Sequence, residues 1–169
     1  AMSCYEELPG DCVNPIIDRI QLGRVAVRAF DIPHDAAAPV GYIIQGTSRC
    51  VVATDIGNVD DRLQQMLEGA QVLVLEANHD EEMLRQGSYP YNLKQRILGP
   101  LGHLSNRRMA KVVAELRRRP QKLILAHLSE SNNRPELAMD TVKSVLDSYG
   151  INNMEIYMTA QNHSTRVDF

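Results

Sequence analysis

The chain reads as an α/β fold because its hydrophobic period changes once and then keeps alternating. Up to Thr54 the apolar residues fall in strand-length runs, alternating or continuous. After Asp55, segments with helical spacing alternate with short apolar runs bounded by turn residues, the order expected of a layered α/β architecture. No internal repeat and no linker-like stretch divides the 169 residues, a length that suits one domain, or part of one.

The elements follow in order. Residues 1–20 hold Pro9, Gly10 and Pro15 without a period and read as an irregular lead-in. Val25, Val27 and Ala29 alternate with Arg24 and Arg28, a half-buried strand that Pro33-His34-Asp35 breaks. Val40 to Gln45 and Cys50 to Thr54 are two apolar runs joined by Gly46-Thr47-Ser48, a hairpin signal. Leu63, Met66 and Leu67 have helical spacing before Gly69, and Val72 to Leu75 is a buried strand. Glu81 to Gln86 and Leu93 to Leu98 read as helices, the second with Pro90 near its start. Ser105 or Asn106 caps the clearest helix, whose Met109, Val112, Val113 and Leu116 share a face and which Pro120 ends. Leu123 to Ala126 is a strand. Pro135 opens a helix with Leu137, Ala138, Thr141, Val142 and Val145 on one face, closed by Gly150, and Met154 to Met158 is the last strand.

Composition narrows the function classes. The chain is 44% hydrophobic and 23% charged with a formal net charge of -3, which argues against disorder. No apolar run approaches the roughly 18 residues of a membrane span, and no leader with a cleavage site is expected. Taken alone, the near-neutral charge speaks against nucleic acid. Cys4, Cys12 and Cys50 show no CxxC spacing, so reduced thiols and a cytoplasmic location are expected. Cys50 reads as a strand residue rather than a nucleophile. The opening Ala1-Met2 is expected to be a remnant of expression or the interior of a longer chain.

The five histidines form no local zinc motif. Their positions relative to the strands carry the signal. His34 follows the first strand, Asp55 ends the third, His79 follows the fourth and His127 ends the fifth. Loops at one set of strand ends converge in such a sheet, so these imidazoles and the carboxylate are expected to meet. Neutral imidazole and carboxylate are ligands for zinc, manganese or iron, and Asp55 could bridge two ions. Any one of these residues alone would be read as an ordinary cap or loop residue. His163, in a polar tail, is read that way.

Three of these segments carry a resemblance. Pro33-His34-Asp35-Ala36, Thr54-Asp55-Ile56-Gly57 and Ala126-His127-Leu128-Ser129 resemble histidine and aspartate motifs of metallo-β-lactamase-fold hydrolases. Leu75-Glu76-Ala77-Asn78-His79-Asp80, Gly87-Ser88-Tyr89-Pro90, Leu93 to Gly99, Gly102-His103-Leu104-Ser105-Asn106 and His127 to Asn133 are similar to the WalJ-type branch. Those proteins are bacterial cytoplasmic phosphodiesterases related to RNase Z and implicated as DNA exonucleases. The resemblance implies the C-terminal half of a metallo-β-lactamase αβ/βα sandwich. It occupies residues 21–160, with 1–20 as lead-in and 161–169 as tail. By it, His34 and His127 are metal ligands and Asp55 the bridging ligand of two divalent ions, zinc or manganese. His103 matches a candidate proton donor to the leaving group, and Asn78 and His79 are expected to orient a ligand. The HxHxDH segment that supplies the family's other ligands is absent, so this chain is expected to be a fragment with an incomplete site, inactive or weak alone. Its exposed half-sandwich is expected to be covered by the missing half or a second copy.

Charge, read by segment, revises the first impression. Arg85 to Lys122 holds ten Lys or Arg against Glu115, a net +9, leaving -12 for the rest. Arg107, Arg108, Lys111, Arg117, Arg118 and Arg119 make the nucleic-acid-binding candidates. Tyr89 and Tyr91 are the only aromatics within the stretch, so base-specific readout is not expected. The sequence therefore points first to a metal-dependent phosphodiesterase acting on DNA. Its alternatives are a non-catalytic half-fold that binds a partner or nucleic acid, and a small-molecule ester or thioester hydrolase.

Overall fold

The computed structural model describes residues 19–161 and 164–168. Its seven strands form one sheet in chain order: β1 (Ile20–Leu22), β2 (Val25–Asp31), β3 (Val40–Gln45), β4 (Arg49–Ala53), β5 (Val72–Glu76), β6 (Lys122–Ala126) and β7 (Glu155–Met158). β1 to β4 pair antiparallel, and β4 to β7 pair parallel. Parallel neighbours need crossovers. α1 (Asp61–Leu67) joins β4 to β5; α2 (Glu81–Gln86), α3 (Tyr91–Leu98) and α4 (Asn106–Glu115) join β5 to β6; α5 (Pro135–Ser148) joins β6 to β7. With this pairing β2, β4, β5 and β6 all end at one edge of the sheet, and their following loops share it.

The core lies on one face. Leu63 and Leu67 of α1, Met109, Ala110 and Val113 of α4, and Ala138, Val142, Val145 and Leu146 of α5 pack in one cluster with Val51, Leu73, Leu75, Leu123 and Leu125. The opposite face carries Val52, Val74, Ile124 and Tyr157 in register across four strands, all half-buried and none in that cluster.

Local chemistry sets the element ends. Ser105, rather than Asn106, caps α4, its hydroxyl accepting from Arg108 N at 3.2 Å. The helix ends at Glu115, five residues before Pro120, because Glu68 captures the backbone N–H groups of Arg117 and Arg118 at 2.9 and 3.0 Å. β1 is a strand that periodicity did not predict: it has three residues, includes Gln21, and pairs through an edge. Ile20 thus belongs to the sheet rather than to the lead-in. The rest of that lead-in, with Cys4 and Cys12, and His163 lie outside the described residues.

One close approach fixes the site edge. A Cβ on Gly57, just after β4, would collide with the backbone of Pro100 and Gly102, which lead into His103. The absence of a side chain lets the two loops touch. Gly57→Ala is expected to destabilise the protein by about 1–3 kcal/mol through overpacking. Gly46→Ala, whose added Cβ meets only Val25 at 3.7 Å, is expected to stay within about 0.5 kcal/mol. Urea unfolding of both variants checks the contrast.

Candidate metal centre

Glu76 ends β5 and is fully buried. A carboxylate there is costly unless every lone pair is used, and this one is saturated. Its Oε1 accepts from the backbone N–H groups of Ile56 at 2.7 Å and Leu104 at 2.8 Å. Its Oε2 accepts from Asp55 N at 3.0 Å and lies 3.1 Å from the Nδ1 atoms of both His103 and His127. Burial pushes the Glu76 carboxyl up, but the bonds from His103, His127 and Leu104 N outweigh it and hold the group at about 2. An ionised carboxylate only accepts, so each Nδ1 carries its hydrogen toward Glu76 and each Nε2 is left free.

Around this anion the other groups assemble. Asp55 Oδ1 lies 3.9 Å from His34 Nε2, 3.9 Å from His103 Nδ1 and 3.6 Å from His127 Nδ1. The His34 and His103 rings are 5.1 Å apart and those of His103 and His127 5.2 Å. Ligand atoms of Asp55, Glu76, His103 and His127 fall within 4.8 Å of one another. Glu76 has no lone pair to spare, so Asp55 and the imidazoles are the donors that fit a divalent cation. His34 Nδ1 is buried without a hydrogen-bond partner among the described residues, while its Nε2 faces Asp35 Oδ1 at 3.6 Å and Asp55 Oδ1 at 3.9 Å.

Two backbone conformations mark the same residues. Asp55 and His127 are the non-glycine residues with positive φ among the described ones, at 61° and 56°. The left-handed region costs an L-residue roughly 1–2 kcal/mol, and both are tied down. Asp55 and Ile56 donate their N–H groups to Glu76, while the carbonyl of His127 accepts from Asn78 Nδ2 at 3.0 Å. Asn78 O in turn accepts from Ser129 N at 2.8 Å and Asn133 Nδ2 at 3.1 Å, and Asn133 exchanges bonds with Asn106. The Glu76–His127 contact favours the imidazolium against burial, with Asp55 adding to it, so the His127 pKa is raised.

The structure thus brings His34, Asp55, His103 and His127 together. Asn78 touches the His127 backbone. His79 is buried with neither ring nitrogen partnered, and burial lowers its pKa to about 4. Its ring makes no hydrogen bond to the cluster. The basic candidates are not gathered at the site. Arg107, Arg108 and Lys111 are exposed on α4, Arg108 bonding Asn58 Oδ1 at 2.6 Å. α4 runs away from the site edge, and its ten residues rise about 15 Å. Arg117, Arg118 and Arg119 therefore sit near the start of β6, with Arg119 folded back on Ala114 O. None of the six borders the cavity of about 390 Å³ beside the imidazoles, which His34, His103, His127, Tyr89, Arg96 and Ser129 help to line.

Single-residue reasoning missed Glu76, Asn106 and Asn133. The available signal for Glu76 was an acid closing the buried run Val72-Leu73-Val74-Leu75, where a charge must find partners.

Known proteins resemble this chain in sequence and in fold. Residues 11–128 match the family described as Beta-lactamase superfamily domain. The chain is 39% identical over 152 residues to Exodeoxyribonuclease YycJ of Bacillus anthracis, covering 87% of this chain and 58% of that one. It is 44% identical over 126 residues to Exodeoxyribonuclease WalJ of Streptococcus pneumoniae, covering 73% and 47%. The chain thus spans about half the length of the curated relatives it matches. In fold it is similar to the metallo-beta-lactamase fold protein YhfI from Bacillus subtilis, with TM-score 0.59, 14% identity and coverage of 86% of this chain and 50% of that one. Zn(2+)-bound PqqB from Methylobacterium extorquens gives TM-score 0.57 at 16% identity, covering 86% and 48%. With its mixed sheet, its shared strand-end edge and a family match over most of its length, this chain belongs to the Beta-lactamase superfamily domain family.

Proposed function

We propose that this chain carries part of the active site of a metal-dependent phosphodiesterase, an exonuclease acting on DNA. The observation that carries the reading is the convergence of Asp55, His103 and His127 on a buried, saturated Glu76, with His34 Nε2 3.9 Å from Asp55 Oδ1. The names of the relatives support a DNA substrate. In this reading Asp55, His34 and His127 hold metal, two zinc or manganese ions in the complete enzyme. When bound, divalent cations supply Lewis acidity and an acidified water. Glu76 keeps Nδ1 of His127 protonated and its Nε2 available, and Asn78 holds the carbonyl that sets the ring's entry angle. His103, with its Nδ1 on Glu76 and its ring lining the cavity, is the proton donor to the departing alkoxide.

The proposal extends to the rest of the molecule. The six basic residues of α4 and the turn after it guide DNA as a field rather than as contacts at the reacting phosphate. The half-buried sheet face takes the missing half of the fold or, in isolation, a second copy of the chain. Among the described residues no helix is long and apolar enough to cross a membrane, and a cytoplasmic location belongs to the same proposal.

Elemental analysis after zinc or manganese loading, combined with digestion of end-labelled DNA, tests the reading directly. Near-stoichiometric metal is expected in the wild type and none in the His34→Ala, Asp55→Ala double variant, with chelator-sensitive trimming from a DNA end that is weak without further ligands. A chain that takes up no metal yet binds DNA would instead be the non-catalytic module. A metal-loaded chain that cleaves only thioesters or lactones would be the small-molecule hydrolase.

Glu76→Gln keeps size and removes the charge. Metal affinity is expected to fall about 10–100-fold, as for loss of a group that orients metal-bound histidines, and isothermal titration with zinc measures it. An unchanged affinity would mean that the carboxylate serves the fold alone. His103→Ala separates two roles. As proton donor, its loss leaves metal content intact and slows turnover by about 10²–10⁴-fold. A parallel fall in metal content would make His103 a ligand, a role its place among the clustered ligand atoms also favours.

A further inference from the structure

Among the described residues, the cavity beside the imidazoles has a single Lys or Arg in its wall, Arg96 of α3. Its other charged neighbours are acidic or imidazole: Asp55 and Glu76 behind the rings, Asp35 beside Arg96, and Glu130 on the wall. A polyanion entering here meets one guanidinium and no ammonium. That guanidinium is held in place. Arg96 Nε donates to Asp35 Oδ2 at 2.5 Å and Nη2 to Oδ1 at 2.8 Å, a fork-on-fork pair across 61 residues. The pair uses one edge of the guanidinium and leaves Nη1 without a hydrogen bond among the described residues.

α3 itself explains why the pair matters. None of its eight residues is buried, so packing does little to place it. Its position depends on a few polar ties: Ile97 O accepting from His103 N at 2.9 Å, Lys94 Nζ donating to Arg85 O at 2.7 Å, and the Arg96–Asp35 fork. The first tie joins α3 to His103 and the last joins it to the residue next to His34. Arg96 therefore stands at a fixed point of the cavity wall, in the loop network that also sets two of the imidazoles.

We propose that Arg96, anchored by Asp35, grips a non-esterified oxygen of a phosphodiester in this cavity. It is then a substrate-binding residue of the site, and the proposal rests on the nucleic-acid reading given above. Because Asp35 cancels the net charge, the grip acts through aimed N–H groups rather than through field strength, as the planar fork of arginine allows and an ammonium does not.

That difference gives the test an unambiguous sign. Binding of a fluorescein-labelled single-stranded oligonucleotide to the full chain is measured at low and moderate salt with a chelator present, so that changes in metal content play no part. Arg96→Ala is expected to weaken binding about tenfold at low salt and nearly as much at moderate salt, because the neutral pair acts through directed N–H groups rather than by releasing counterions. Arg96→Lys is expected to fall with the alanine variant. Asp35→Asn is expected to weaken binding several-fold even though it makes the protein more positive. The pair is exposed, Arg96 by 61%, so urea midpoints are expected to match that of wild type. Wild-type-like binding by Arg96→Ala overturns the grip and leaves the nucleic-acid reading standing. Tighter binding by Asp35→Asn overturns the anchored geometry, since only free charge behaves so. A wild type that binds no oligonucleotide removes both.

Discussion

The site edge of this protein is organised by one buried anion. A carboxylate moved from water into a protein interior loses several kcal/mol of hydration that must be recovered locally. Glu76 recovers it from five donors on three segments of chain: the backbone of Asp55 and Ile56 after β4, the Leu104 N–H and His103 ring before α4, and the His127 ring after β6. Each donor is oriented by the same act. The ends of β4 and β6, which have no covalent relation, are set relative to one another because both point hydrogens at Glu76. The bonds outweigh burial, as the depressed carboxyl pKa of about 2 requires.

The strained backbone follows from that arrangement. Left-handed Asp55 and His127 turn their side chains back over the sheet edge instead of continuing the strands. Such conformations persist when surrounding bonds over-determine them. For Asp55 the bonds are its own N–H and that of Ile56 on Glu76; for His127 they are the Glu76 contact and the Asn78 amide on its carbonyl. The asparagines extend the same logic outward. Asn133 bonds the carbonyls of Ala77 and Asn78, and Asn106 faces Asn133, so the segment after β5, the start of α4 and the entry to α5 are tied together.

What the sequence made legible was the part that depends on strand order. His34, Asp55 and His127 stand at strand ends, and a sheet with crossovers brings such ends to one edge whatever the detailed packing. Glu76 was hidden because its partners are backbone N–H groups distant in sequence, and a terminal acid on an apolar run looks like the start of a loop. β1 was hidden because three residues cannot display a period. The length of α4 was misjudged because its end is set by Glu68, 49 residues earlier, and not by Pro120. Charge was the least transferable reading. Arg107 and Arg117 look adjacent in a basic stretch, but α4 carries them to opposite edges of the sheet. Arg96, in the same stretch, stands in the cavity wall.

The two faces of the sheet make a last physical point. A sheet covered on one side usually alternates apolar and polar residues along its strands. β5 does not: Val72, Leu73, Val74 and Leu75 are apolar on both faces, and Val52 and Ile124 flank Val74 on the face without core helices. Continuous hydrophobic runs of this kind suit strands buried on both sides. The same strands lead to Asp55, Glu76 and His127, so whatever packs against that face also bears on the edge where the carboxylates and imidazoles gather. Burial of Val52, Val74 and Ile124 from the second side would therefore be felt at Asp55, Glu76 and His127 through the strands that carry them.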